Sequence, residues 1–104
     1  MIAKERIQAF AQAVVREFHP ERIILFGSHA RGDAGPDSDV DVLVIMPRDG
    51  KSGHRQSAEI YAKCHAGFPV DVLVRTRDEF EQRLTMHDWF MRDIAREGQV
   101  LYAA

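Results

Sequence analysis

The chain has 104 residues, 45% of them hydrophobic, which suits one compact domain over residues 1–104 and leaves no room for two. Its formal charge of −2 gives no overall basic field of the kind that draws a protein to nucleic acid, and its one cysteine, Cys64, fits a reducing cytoplasm. No apolar run approaches the roughly 18 residues of a membrane span, and Met1 to Arg16 lacks the unbroken apolar core of a signal peptide.

In chain order, Ile7, Phe10, Ala11, Val14, Val15 and Phe18 recur at helical spacing, so Ile2 to Phe18 is expected to form an amphipathic helix that His19-Pro20 ends. Arg22 to Phe26 reads as a short buried strand. His29 to Gly32 begins a short helix, and Asp33 to Ser38, with Gly35 and Pro36, is a loop. Asp39 to Ile45 is a valine-rich strand, and Pro47 to Gly53 a polar turn. Arg55 to His65 reads as a helix stopped by Gly67 and Pro69, followed by a strand over Val70 to Val74. Asp78 to Glu97 is largely helical with a break near Thr85, Gly98 is its stop, and Val100 to Tyr102 is a short edge strand.

The chemistry concentrates in two blocks, Phe26-Gly27-Ser28-His29-Ala30-Arg31-Gly32 and Ser38-Asp39-Val40-Asp41-Val42-Leu43-Val44. Alternate residues of a strand share a face, so Asp39 and Asp41 point the same way, roughly 6.5 to 7 Å apart. Like charges that close are kept when a cation or a shared proton relieves them. The Gly-Ser turn offers what carboxylates cannot: backbone N–H groups and a hydroxyl suited to phosphate oxygens. The bland alternatives are a polar strand start facing solvent and a serine capping the next helix. For cradle and carboxylates to meet, the first two strands must run antiparallel. The helix between the second and third makes those two parallel, by a right-handed crossover. The expected fold is α/β, a small mixed sheet with helices packed chiefly on one side.

Gly27-Ser28, ten intervening residues and then Asp39-Val40-Asp41 resemble the signature of the DNA polymerase β-like nucleotidyltransferase superfamily. The Gly-Ser-x-Ala-Arg-Gly form and the short chain look most like the minimal nucleotidyltransferases, commonly antitoxin partners of HEPN-domain toxins. The resemblance covers essentially the whole chain, because Pro69-Val70-Asp71-Val72-Leu73-Val74 supplies the third carboxylate such enzymes expect on a neighbouring strand. It implies two Mg²⁺ ions on Asp39, Asp41 and Asp71, with Asp71 also able to take the proton of an attacking hydroxyl. Gly27 and Ser28 would contact the β- and γ-phosphates of ATP. Arg31 has two open readings, a phosphate contact or a salt bridge to Asp33 or Asp37. The implied reaction moves AMP from ATP to a hydroxyl of a HEPN toxin and silences its RNase activity. A chain this short must borrow its acceptor surface from a second protein or a second copy of itself. Two rivals are an antitoxin acting by occlusion alone and an enzyme modifying a small molecule such as an aminoglycoside. The first would be marked by a missing carboxylate or a broken Gly-Ser turn, and neither is seen. The second needs a pocket that this length hardly provides.

The five histidines, at 19, 29, 54, 65 and 87, show no i, i+4 pairing and no cysteine partners, which argues against zinc. His29 lies inside the Gly-Ser motif, where its functional reading is a base or ribose contact. Arg48, Lys51, His54 and Arg55 surround a turn at the far end of the second strand and read as a solvated loop. Met86, Phe90, Met91 and Ile94 form an apolar stripe. Trp89 lies off it, either as a protein-contact residue or, if the helix breaks at Thr85, covering the sheet edge.

Overall fold

The computed structural model describes all residues, Met1–Ala104, in the order α1 (Lys4–Phe18), β1 (Arg22–Phe26), α2 (Ser28–Arg31), β2 (Val40–Ile45), α3 (Gly53–Lys63), β3 (Val70–Arg75), α4 (Arg77–Thr85), α5 (Trp89–Glu97) and β4 (Gln99–Ala103). The four strands form one sheet in the order β3-β2-β1-β4. β1 pairs antiparallel with β2 and with β4, whereas β2 and β3 are parallel, joined through α3. These are the directions expected from the sequence. No helix is long and apolar enough to cross a membrane.

Period-two alternation divides the sheet into two faces. Ile23, Leu25, Val40, Val42, Val44, Val72 and Val74 point into a cluster of 14 buried residues completed by α1 and α3, through Ile7, Phe10, Ala11, Val14, Ile60 and Cys64. Ile24, Leu43 and Ile45 point the other way and meet Phe80 of α4 with Met91 and Ile94 of α5. The heavier helical layer is thus on one side. The second face is nevertheless covered by a lighter layer, because Leu43 and Ile45 need burial as much as their neighbours. Each such buried side chain contributes roughly 1.5–3 kcal/mol.

Three expectations shift at element boundaries. β2 begins at Val40, so Asp39 lies just before the strand and is exposed. Its carbonyl faces the His29 imidazole rather than a ladder partner. The C-terminal helix breaks at Met86–Asp88, where His87 adopts φ 58° and the Asp88 side chain accepts from Met91 N–H to start α5. Met86 falls in that break and leaves the apolar stripe, 64% exposed; Trp89 is 75% exposed and covers no sheet edge.

In the basic cluster after β2, Arg48 and Lys51 are ion-paired scaffold rather than a solvated loop, while His54 and Arg55 are exposed as expected. Arg48 Nη2 lies 2.6 Å from Glu79 Oε1 and its Nη1 donates to Gln56 Oε1, while Lys51 bridges Glu59 at 2.8 Å. Glu79 also closes a capping box on Thr76. That backbone hydrogen bond and then Arg48 hold its carboxyl below the ordinary range. Gln56, the one buried polar side chain, donates to the carbonyls of Pro47 (2.7 Å) and Arg48 (3.1 Å) and fixes the exit of β2 onto α3. Gln56→Leu would leave the Pro47 carbonyl without a donor and the Arg48 carbonyl with the Lys51 N–H alone. We predict a loss of about 2 kcal/mol or more in urea unfolding with an unchanged m-value. A loss under half that would show the carbonyls re-satisfied by water.

Candidate active site

Cross-strand register builds the site. Asp41 lies opposite Phe26 of β1 on one side and opposite Asp71 of β3 on the other. Residues in register on neighbouring strands are about 4.8 Å apart and share a face. Asp41 and Asp71 therefore stand side by side where the smaller core ends, with Leu43 and Leu73 next along each strand. Asp41 is half-buried, and Asp39 and Asp71 are exposed. Burial raises the Asp41 pKa above its ordinary value, Asp71 and Asp39 add to the rise, and His29 and Arg31 oppose it.

Gly27 closes the site from the β1 side. Its backbone, φ 75° and ψ −155°, occupies a region essentially reserved for glycine. A Cβ built there would overlap the Asp41 carboxylate, whose Cγ is only 3.3 Å away. The side chain is therefore excluded twice, by conformation and by space. Gly27 rather than Ser28 is the N-cap of α2, and Ser28 opens that four-residue turn without a side-chain cap bond. Its hydroxyl is free for a ligand. A turn this short has no appreciable macrodipole, so any anion binding there rests on local N–H groups.

Gly27, Arg31, Asp41 and Asp71 line one cavity of about 450 Å³ with Phe26, Val72, Leu73, Phe90, Asp93, Ile94 and Glu97. Asp39 and Ser28 flank it without lining it. Arg31 forms the expected salt bridge to Asp33, Nε at 3.3 Å, its Nη1 reaches Glu97 at 4.0 Å, and the side chain borders the cavity. The salt bridge to Asp37 is not formed. The α5 wall went unrecognised in the sequence. Phe90, Asp93, Ile94 and Glu97 follow i, i+3, i+4, i+7 spacing and so share one face, but that face mixes apolar and acidic residues. Phe90 meets Phe26 edge-to-face at 5.6 Å, giving the cavity an aromatic floor.

Cys64 is a buried free thiol in the larger core. No three His, Cys, Asp or Glu side chains come together as a set that could hold a metal ion. Mg²⁺ does not ask for three, because it keeps several waters and is held by one or two carboxylates plus substrate phosphates. Hard oxygen donors, an open geometry and a half-buried carboxylate whose pKa burial and two acidic neighbours raise fit that ion.

Two predictions follow from Gly27 and Asp41. Gly27→Ala should cost about 1–3 kcal/mol of stability through its backbone conformation and should displace the Asp41 carboxylate; unaltered melting would remove the constraint. Folded Asp41 keeps its proton to higher pH than an unfolded carboxyl titrating near 3.8, so the native state binds more protons across that interval. Stability then falls as pH rises from about 3.8 through the raised value, and the penalty is complete above it. Without metal, Asp41→Asn should melt above the wild type at about pH 7, and the gap should close toward pH 3. A variant that melts lower at neutral pH would contradict the charge repulsion.

The sequence and the fold match known proteins. A family model described as a nucleotidyltransferase domain matches residues 7–101. A protein of Methanocaldococcus jannaschii named "Putative protein adenylyltransferase MJ0604" is 30% identical over 105 residues, spanning 98% of this chain and 100% of that protein. A second from the same organism, "Putative protein adenylyltransferase MJ0141", is 62% identical over a stretch of 26 residues, 25% of this chain and 26% of its own length. Among solved structures, a Sulfolobus solfataricus protein described as "a putative nucleotidyltransferase" superposes with a TM-score of 0.61 at 22% identity, over 75% of this chain and 70% of that one. A toxin–antitoxin structure with AMP-PNP superposes with a TM-score of 0.54 at 18% identity, over 93% and 73%. At such identities the solved structures establish the fold, and the family model and the full-length relative establish the kinship. The chain belongs to the nucleotidyltransferase-domain family of enzymes.

Proposed function

We propose that this nucleotidyltransferase moves AMP from ATP onto a hydroxyl of a partner protein, and that the partner is a HEPN-type RNase toxin silenced by the modification in the cytoplasm. The observation that carries the reading is the register pair Asp41–Asp71, set against Gly27 with Asp39 just upstream. The name of the full-length relative supports protein as acceptor, and the toxin–antitoxin neighbour supports a toxin partner.

In this reading Asp39, Asp41 and Asp71 hold Mg²⁺, which when bound neutralises phosphate charge and stabilises the entering and leaving oxygens. The first-turn N–H groups at Gly27 and Ser28, the Ser28 hydroxyl and the Arg31 guanidinium receive the β- and γ-phosphates. Asp71, exposed at the border of the sheet, takes the proton of the acceptor hydroxyl as its oxygen attacks the α-phosphorus. The bond from the α-phosphorus to the bridging oxygen breaks, and pyrophosphate leaves. Phe26, Leu73, Phe90 and Ile94 exclude water from one side of the cavity, and the exposed Trp89, next to Phe90 in the chain, offers the partner an aromatic contact.

Asp71→Asn removes a charge while nearly keeping the shape, so fold and partner binding should persist. Transfer of label from ATP to the toxin in Mg²⁺ should fall at least about 10²-fold, the usual scale for losing a general base. Intact mass spectrometry of the toxin reads the added AMP. A toxin silenced with no added mass, and protected equally by Asp71→Asn, would replace transfer with occlusion.

A further inference from the structure

Both ring nitrogens of His29 are engaged by main chain. Nε2 accepts the Ile2 N–H at 3.2 Å, so that nitrogen carries no proton. In the neutral ring the proton is then on Nδ1, which lies 3.2 Å from the Asp39 carbonyl and donates to it. The base or ribose contact read from the sequence is therefore displaced: neither nitrogen is free to reach a substrate.

The Asp39 carbonyl is one half of the peptide unit joining Asp39 to Val40. The other half, the Val40 N–H, donates to the Pro69 carbonyl at 3.1 Å, two residues before Asp71. Both polar groups of that peptide plane are thus fixed, one from α2 and one from the approach to β3. Asp39 lies outside the strand, so on the carbonyl side of that peptide His29 takes the place of a ladder partner. His29 directly follows Ser28. A single imidazole therefore joins the Gly27-Ser28 turn to the segment that carries Asp39 and ties both to the start of α1.

We propose that His29 is a positioning residue, which sets the Asp39 carboxylate relative to Asp41 and the Gly27-Ser28 turn by pinning the Asp39–Val40 peptide. The role rests on the metal reading of Asp39 and acts through that residue, without contact to substrate. Partners that orient a metal ligand from behind typically change metal affinity about 10- to 100-fold when removed.

The two bonds can be separated. His29→Asn places an amide N–H near the Nδ1 position, keeping the donor to Asp39 while losing Ile2. His29→Gln reaches toward Ile2 and leaves the Asp39 carbonyl unserved. Mn²⁺ binding, read by electron paramagnetic resonance with ATP present, should weaken at least about 10-fold in His29→Gln and His29→Ala, and should stay within about 3-fold of wild type in His29→Asn. Amide exchange at Val40 should quicken in the first two variants and not in the third, a readout independent of metal and of activity. The order in melting temperature should differ, with His29→Asn lowered by the loss of Ile2. Wild-type Mn²⁺ affinity in all three variants overturns the positioning role alone, as does metal affinity that merely tracks melting temperature. A wild-type protein that binds no Mn²⁺ with ATP overturns the carboxylate reading and this role with it.

Discussion

The parallel ladder between β2 and β3 puts two carboxylates in register, and most of the molecule serves to keep them there. At strand spacing, two such charges repel by about 1 kcal/mol in bulk water and about 3 kcal/mol at a typical protein-surface dielectric. Exposure of Asp71 favours the lower figure. The repulsion is tolerated because hydrophobic packing on both faces of the same strands outweighs it. Val40, Val42 and Val44 lock β2 into the larger core, while Leu43 and Ile45 lock it from the other side. A slip of one residue would turn Asp41 into the larger core and Val42 out of it, so the apolar pattern that stabilises the sheet also specifies the acidic pair.

A parallel pair also needs a crossover, and the crossover explains residues with no part in the chemistry. α3 must leave β2 and return beside it, and Gln56 and Arg48 anchor its departure through the Pro47 and Arg48 carbonyls and Glu79. Its return side closes the free edge of β3, where Tyr61 accepts the Val72 N–H at 2.7 Å and Ser57 donates to the Val72 carbonyl at 3.0 Å. Another strand cannot add to that stretch, because its hydrogen-bonding groups are already taken. Asp71 thus sits on an edge strand with its carboxylate open and the neighbouring backbone satisfied.

What the sequence disclosed were the features governed by local periodicity. Valine alternation located the strands and the shared face of Asp41 and Leu43; helical spacing located α1 and the lower half of α5; the Gly-Ser to Asp-x-Asp interval foretold that the glycine turn lies beside the acidic side. The hidden features depend on partners distant in the chain. His29 binds Ile2 and Asp39, 27 and 10 residues away, and nothing about a histidine in a glycine-rich turn announces either contact. Arg48 looked solvated because Glu79 is 31 residues off. The break expected near Thr85 is present, and Met86 was misplaced because it falls in the non-helical Met86–Asp88 and so leaves the stripe of α5.

The three carboxylates are unequal, and their inequality follows from topology rather than from composition. Asp71 belongs to the sheet's border, Asp39 to an exposed approach, and Asp41 to an interior strand with Phe26, Gly27 and Asp71 around it. Burial therefore falls hardest on the central member, which is also the one that glycine alone can approach so closely. A side chain at Gly27 would relieve neither problem: it would fill the gap between turn and carboxylate and displace the Asp41 side chain. The missing Cβ at Gly27 and the acidic pair are thus one constraint seen from two strands. β1 can lie beside β2 at its carboxylate end because its turn residue has no side chain, and that approach sets the Gly27-Ser28 turn against the acidic side.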